Sequence, residues 1–500
     1  IRDRNIGRVM SPTLALLVQR EAEISAFVAE SFYTVQLDCG FPATTGRMKD
    51  RKDADAIANA CKGKAVTVKS VERKEKSEKA PALYDLTSLQ RDANRVLGYT
   101  SQQTLDYLQA LYEKKLCTYP RTDSRFLTDD MEGSVPGLVA AAAAVCGMEK
   151  PPTICAKQVC SSKKVTDHHA IVPTISAEKV DMASLPLGER EVLKLAARGL
   201  LRAVDEPHRY AETVITVDCA GQSFTAKGKT VLAPGWKRYE QEQAEAAPAL
   251  PVVTENQTLS VSAASVKTGK TTPPKHFTED TLLAAMENAG KEDMPDDAER
   301  KGIGTPATRS GIIEKLVSSG FVERRKSKKI TNLLPTSTGT ALITVLPEQL
   351  QSPQLTAEWE HRLKEIERGE IASASFMDGI AAMLNELVQT YKPIPGAEVL
   401  FPSGREVVGR CPRCGAEVTE SQKGFFCENR SCAFVLWKNS RFFAAKKKAL
   451  TKSLAAALLK NGRAPLKGCY SEKTGKTYDA SVLLEDDGQR TGYKMVFDNG

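Results

Sequence analysis

Tyr119 sits in the run Thr118-Tyr119-Pro120-Arg121-Thr122-Asp123-Ser124. A proline disfavours helical dihedrals at the residue before it, so Tyr119 is expected in extended backbone. In such backbone residues i and i+2 face the same way. Tyr119, Arg121 and Asp123 then bring a phenol, a guanidinium and a carboxylate to one side. A phenol with an ordinary pKa of about 10 is a weak nucleophile. A fixed cation beside it favours the phenolate and can also hold a phosphate oxygen. That pairing suits covalent chemistry between a tyrosine and a phosphodiester. Taken alone, an exposed Tyr-Pro turn accounts for the same residues.

Two further groups carry chemistry. Two of the five histidines are adjacent, in Thr166-Asp167-His168-His169-Ala170-Ile171-Val172-Pro173-Thr174. A loop histidine bonding local backbone is the plainer account of them. Near the C-terminus, Cys411-x2-Cys414 and Cys427-x4-Cys432 are separated by twelve residues. Two close cysteine pairs divided by a strand-length stretch are the layout of a four-cysteine zinc ribbon. With four thiolates the site is closed, so zinc there is structural. Phe425, Phe426, Phe434, Trp437, Phe442 and Phe443 interleave with Lys438, Arg441 and Lys446 to Lys448. Exposed rings and cations together suit stacking on single-stranded bases, although a small ribbon also spends rings on its own core.

These groups need a frame. The 500 residues are enough for roughly three to four domains. A net charge of +8 is compatible with a nucleic-acid partner but decides little. No apolar run reaches a membrane-spanning length. The cysteines outside the ribbon are scattered singly, which fits a reducing cytoplasm. The first residues, Ile1 onward, read as the middle of a longer gene product.

Ser11 and Pro12 open an amphipathic helix over 11–30. Alternation predicts strands over 32–40 and 65–73, with the charged stretch 71–79 as a surface link. Helices are predicted over 86–97, capped by Asp85 or Thr87, and over 101–115. Residues 125–200 read as mostly helical, with a loop over 150–164. Strands return over 213–218, 222–227 and 259–266. The two strand blocks can pair into one sheet with the tyrosine region inserted between them. Helices over 278–290 and 307–319 precede a short strand, the basic run Arg324-Arg325-Lys326-Ser327-Lys328-Lys329 and a second strand over 330–334. That order is a winged-helix pattern, with the basic run as a hairpin tip. Helices over 338–347, 356–367 and 373–391 lead to a linker, Lys392-Pro393-Ile394-Pro395-Gly396. After the ribbon come a helix over 451–460, three strands, and a turn at Lys473-Thr474-Gly475-Lys476, read as a small α+β module of its own.

Five segments, in order, resemble those of type IA DNA topoisomerases, within them the bacterial topoisomerase III group: Gly7 to Leu14, Tyr84 to Gln90, Thr118 to Ser124, Asp167 to Thr174, and Gly302-Ile303-Gly304-Thr305-Pro306-Ala307-Thr308-Arg309. The resemblance implies a multidomain α+β toroid. A β-rich arch would take 31–82 and 209–268, and the active-site tyrosine domain 83–208. Residues 1–30 and 269–392 would form the helical domain with the winged-helix segment, followed by the ribbon at 405–440 and the module at 441–500. Tyr119 would attack a single-stranded DNA phosphate, leaving a 5′-phosphotyrosine and a 3′-hydroxyl. Strand passage and resealing would need no ATP. Arg121 and His168 would hold the scissile phosphate, and Thr122 and Asp123 would orient neighbours at the DNA. Arg8, Thr308 and Arg309 would contact DNA; Lys326 at the wing tip and Trp437 in the ribbon are expected to contact it too. The substrates would be single-stranded and supercoiled DNA, the protein a monomer in the cytoplasm, at nucleoid or plasmid, with a helicase partner left open.

Two departures matter. Met10 stands where the family has glutamine. The acidic TOPRIM domain, whose glutamate and aspartates would supply the general acid and hold magnesium, is not found in these residues. The chain alone is therefore expected to bind DNA but to cleave it weakly. A non-catalytic DNA-binding scaffold with a zinc ribbon competes with this reading. A tyrosine relaxase fits poorly, because adjacent His168 and His169 point apart on extended backbone.

Overall fold

Strand-forming segments far apart in the chain meet in one seven-stranded antiparallel sheet. The computed structural model describes residues 7–240, 250–290, 302–328, 330–390, 407–421, 423–429, 431–471 and 474–497. The sheet uses β1 (Ser31–Asp38), β2 (Pro42–Thr44), β3 (Ala65–Glu78), β4 (His208–Cys219), β5 (Gln222–Ala233), β6 (Thr258–Ser260) and β7 (Ala263–Lys270). Their order is β6-β3-β4-β5-β2-β1-β7. Val35, Leu37, Ile215, Val217 and Phe224 fill one face at alternate positions. A helix, Arg51–Cys61, covers that face with Ala54, Ala58 and Cys61. Residues 71–79 are not a link. β3 continues to Glu78, each residue from Val71 pairing with β4, Val71 opposite Ile215 and Glu78 opposite His208. Ladder hydrogen bonds and the Lys76–Glu212 ion pair hold this charged extension where no apolar core does.

Between β3 and β4 the chain makes a second core. Helices Leu86–Leu97, Ser101–Glu113, Val135–Cys146 and Leu187–Ala203 bury Leu89, Leu108, Val139, Leu193 and Leu200. Asp85 and Thr100 start the first two with reciprocal capping boxes, Asp85 with Ser88 and Thr100 with Gln103. The mostly helical expectation for 125–200 overreaches, since residues 147–186 hold only short 3-10 turns. Their backbone is used instead to bond the tyrosine run.

Helices Met10–Ala26, Glu279–Asn288, Pro306–Ser318, Ser337–Val345, Gln354–Glu367 and Ser373–Thr390 accompany the hairpin β8 (Val322–Ser327) and β9 (Ile330–Pro335). Most of the basic run is strand rather than tip. Arg324 turns inward: its Nε donates to Glu279 Oε1 at 2.9 Å, and its other nitrogens pair with Glu314. A carboxylate on each side draws in a guanidinium that charge alone assigned to solvent. Lys329, Lys473 and the 392–396 linker lie outside the described residues.

The chain divides into two units, Ile1–Pro395 and Gly396–Gly500. In the second, β10 (Val407–Arg410), β11 (Glu417–Glu420), β12 (Gly424–Cys427) and β13 (Val435–Trp437) form one sheet in sequence order. β14 (Arg463–Tyr470), β15 (Thr477–Asp486) and β16 (Thr491–Val496) form another. The last module is not independent of the ribbon. Val418, Phe425, Phe434 and Phe443 share one core with Leu458, Cys469 and Val482. Among the described residues no helix is long and apolar enough to cross a membrane.

Candidate active site

Residues 118–124 run without helix or turn assignment at Tyr119, and their burial alternates. Pro120, Thr122 and Ser124 are buried, Arg121 is exposed, and Tyr119 and Asp123 are half-buried. Every second side chain faces out, as the proline implied. The run is stitched to 168–174. Thr118 N–H donates to Val172 O at 3.0 Å, and Thr118 Oγ1 donates to Ala170 O at 3.0 Å. Thr118 Oγ1 also accepts from Val172 N–H at 3.0 Å. Thr122 Oγ1 donates to His168 O at 2.8 Å, and Ile171 N–H donates to Tyr84 O at 2.8 Å.

This stitching sets His168 beside Tyr119, with ring centroids 4.1 Å apart and planes inclined by 36°. His168 and Arg121 are both exposed. The neighbouring histidine behaves differently: His169 Nδ1–H donates to Ala170 O at 2.9 Å, local backbone bonding of the plainer kind. Asp123 Oδ1 accepts from Thr166 Oγ1 at 2.9 Å, a second tie between the two segments. A phenol, an imidazole and an open guanidinium can together receive a phosphodiester: one attacks and two hold oxygens.

The other expected DNA residues are dispersed. Thr308 is exposed at the start of helix Pro306–Ser318, where its Oγ1 accepts from Thr305 N–H at 3.0 Å. Lys326 is exposed on β8, and Trp437, 45% exposed, lies on β13 with its ring edge-on to Phe426. Arg8 Nη1 pairs with Glu360 at 2.8 Å, with Trp359 beside it. Two residues are corrected. Arg309 is 1% exposed and does not face DNA. Its Nε donates to Ile303 O, its Nη2 to Gly304 O, and its Nη1 to Thr87 Oγ1 at 3.0 Å. A guanidinium buried this deeply must spend its donors on the protein, and here it ties the 302–309 loop to the helix ahead of Tyr119. Thr122 is 3% exposed, so it orients the His168 backbone rather than touching a strand.

Sequence reasoning missed Tyr112 and Glu279. Tyr112 meets Tyr119 edge-on, centroids 5.5 Å apart and planes at 85°. Its position seven residues ahead on a helix that ends at Glu113 was the available signal. Glu279 Oε2 accepts from Ser101 N–H at 2.6 Å and Ser101 Oγ at 2.7 Å, so it caps that helix from a distant segment. No local pattern shows such a pairing.

The four cysteines converge. Cys411 and Cys432 Sγ atoms are 3.7 Å apart, Cys414 and Cys427 3.5 Å, and all four lie within 4.8 Å of one another. Zn–S bonds of about 2.3 Å place tetrahedral sulfurs about 3.8 Å apart, so the set fits zinc. Gly415 takes φ +75° in the first knuckle, where Cys411 O accepts its N–H at 2.9 Å. The Ala416 backbone N–H holds the Cys414 thiol down to about 7, whereas burial pushes Cys427 up to about 12. Among the described residues, no other group of three or more His, Cys, Asp or Glu side chains could close on one ion.

The DNA topoisomerase family model matches residues 2–378. The chain belongs to the DNA topoisomerase family. Its curated relatives include DNA topoisomerase 3 of Bacillus subtilis, 36% identical over 459 residues. DNA topoisomerase 3 of Bacillus licheniformis is 34% identical over 460 residues. Each match covers 85% of this chain and 62% of the relative, so the chain spans under two thirds of their length. Full-length topoisomerase I from Thermotoga maritima superposes with a TM-score of 0.61 at 22% identity, over 86% of this chain and 70% of that one. The fold is the type IA topoisomerase fold.

Proposed function

We propose that this chain carries the nucleophile-bearing part of a type IA, topoisomerase III-like DNA strand-passage enzyme. The observation that carries the reading is the Tyr119–His168 pair, 4.1 Å between centroids, with exposed Arg121 two residues along the chain from Tyr119. Tyr119 Oη loses its proton and bonds to phosphorus, and the bond from phosphorus to the 3′ oxygen breaks. That oxygen gains a proton to become the 3′-hydroxyl. Arg121 and His168 hold the non-bridging oxygens, where charge builds in the transition state. The phosphotyrosine keeps the energy of the broken bond, so resealing reverses the step without ATP.

Thr122 and Asp123 act as positioning residues, and Arg309 as a buried tie. Arg8, Thr308, Lys326 and Trp437 supply contacts along single-stranded and supercoiled DNA. Residues 31–82 with 209–268 serve as the arch and 83–208 as the tyrosine domain. Residues 1–30 with 269–392 serve as the helical domain, and 405–500 as a zinc-supported strand-binding unit. Zinc on Cys411, Cys414, Cys427 and Cys432 holds the ribbon's loops and takes no part in the chemistry. The protein works as a monomer in the cytoplasm.

The test is cleavage of end-labelled single-stranded oligonucleotide with magnesium, with and without a separately supplied acidic domain of a relative, the expected source of the 3′ proton. The expected result is a covalent adduct on the 5′ side of the break, absent in Tyr119→Phe and stronger with the added domain. An adduct that survives Tyr119→Phe overturns the assignment of the nucleophile, and none in any combination while single-strand binding persists overturns the reading in favour of a binding scaffold.

A further inference from the structure

Tyr112 ends the helix that leads into the nucleophile. Three observations set it apart from the other aromatic residues of that region. First, its ring meets Tyr119 edge-on at 5.5 Å and 85°, and Tyr119 in turn meets His168 at 4.1 Å. Second, it is 40% exposed, while its helix neighbours Leu108 and Leu111 are fully buried and carry the packing of that turn. Third, Tyr99 and Tyr107 on the same stretch pair with each other, 5.3 Å apart, which leaves Tyr112 the aromatic that faces the site.

In an edge-on pair one ring gives its rim and the other a face, so Tyr119 covers at most one face of the half-exposed Tyr112 ring. Any base presents a π-face, and an exposed aromatic face is a platform for it whatever the sequence. We infer that Tyr112 is a substrate-binding residue, which stacks on the base next to the phosphate that Tyr119 attacks. The ligand class is an unpaired nucleotide of single-stranded DNA. The inference rests on Tyr119 being the nucleophile. One ring would then fix the nucleophile's orientation through its contact with Tyr119 and the strand's register with its open face. Duplex DNA, whose bases are stacked inside, would not reach the platform.

The test separates stacking from cleavage. The full chain carrying Tyr119→Phe cannot form the adduct, so binding is read by itself. A set of single-stranded oligonucleotides carries 2-aminopurine walked one position at a time, and its quenching reports stacking. The expected result is strong quenching at one or two neighbouring positions. It persists when Tyr112→Phe is added and falls when Tyr112→Leu is added, with affinity down about tenfold, the scale of one base–aromatic stack. Circular dichroism of the Leu variant checks that the helix is intact. In the Tyr119 background the Leu variant raises KM for cleavage more than it lowers kcat. Quenching unchanged in Tyr112→Leu, or no position quenched at all, overturns the inference. Position-specific quenching with no adduct from wild-type protein, even with the acidic domain of a relative and magnesium supplied, would instead sink the nucleophile assignment and leave the platform standing.

Discussion

Glu279→Ala tests how the helix ahead of the nucleophile is held. Glu279 is 3% exposed, and one of its oxygens takes both the N–H and the hydroxyl of Ser101. Its other oxygen takes Arg324 at 2.9 Å. The Ser101 hydroxyl can turn to another acceptor, but its N–H cannot. A buried orphan donor costs about 1–3 kcal/mol, and each hydrogen bond to a charged group contributes about 1.5–3 kcal/mol. Removing one partner of a buried ion pair costs about 3–5 kcal/mol. Arg324 keeps Glu314, so the lower end of that range applies. Together these set a loss of about 4 kcal/mol for Glu279→Ala. Glu279→Gln should lose about half, because its amide oxygen still accepts from Ser101 while its NH2 meets Arg324. Urea unfolding followed by circular dichroism reads the loss, and amide exchange over 101–113 locates it. Arg324→Met should cost less in the Gln variant than in wild type, by at least about 1 kcal/mol of coupling. A Glu279→Ala loss below about 1 kcal/mol, with exchange over 101–113 unchanged, would refute the capping account.

Elemental analysis should find one zinc per chain, and Cys432→Ala should abolish it. Chelation should lower the unfolding temperature of the C-terminal unit while leaving the N-terminal unit's transition in place, because only the ribbon's loops depend on the metal. Tyr493 gives the pH dependence. Its hydroxyl is buried with no partner among the described residues, and burial pushes its pKa up to about 12. The folded state therefore holds the proton longer than the unfolded chain, whose tyrosine titrates near about 10. Tyr493 stability is fully present below that value and is lost as pH rises towards about 12. Tyr493→Phe should leave stability at pH 7 within about 1 kcal/mol and flatten its fall above pH 10, read by denaturant unfolding at several pH values.

What could be read from sequence was what neighbours in the chain decide. Asp85, one of two caps the sequence offered, was legible as a start because a cap bonds backbone three residues away. Pro120 made the outward alternation of Tyr119 and Arg121 legible because it acts on the adjacent dihedrals. The ribbon was legible because zinc geometry demands four thiolates on two short loops. The pairing of β3 with β4 could be guessed as two blocks in one sheet. That 71–79 is strand depended on a partner more than a hundred residues away, opposite Ile215 to His208. Arg309 and Arg324 carried the wrong expectation for the same reason. A positive charge looks the same in sequence whether it meets phosphate or protein. Thr87, Glu279 and Glu314 determine which, and only folding brings them near. The sequence by itself determined which groups are candidates for the chemistry and which local backbone presents them. The tertiary structure decided which charges are spent inside, and it set His168 and Tyr112 against Tyr119, because contacts between distant segments depend on packing that no local spacing encodes.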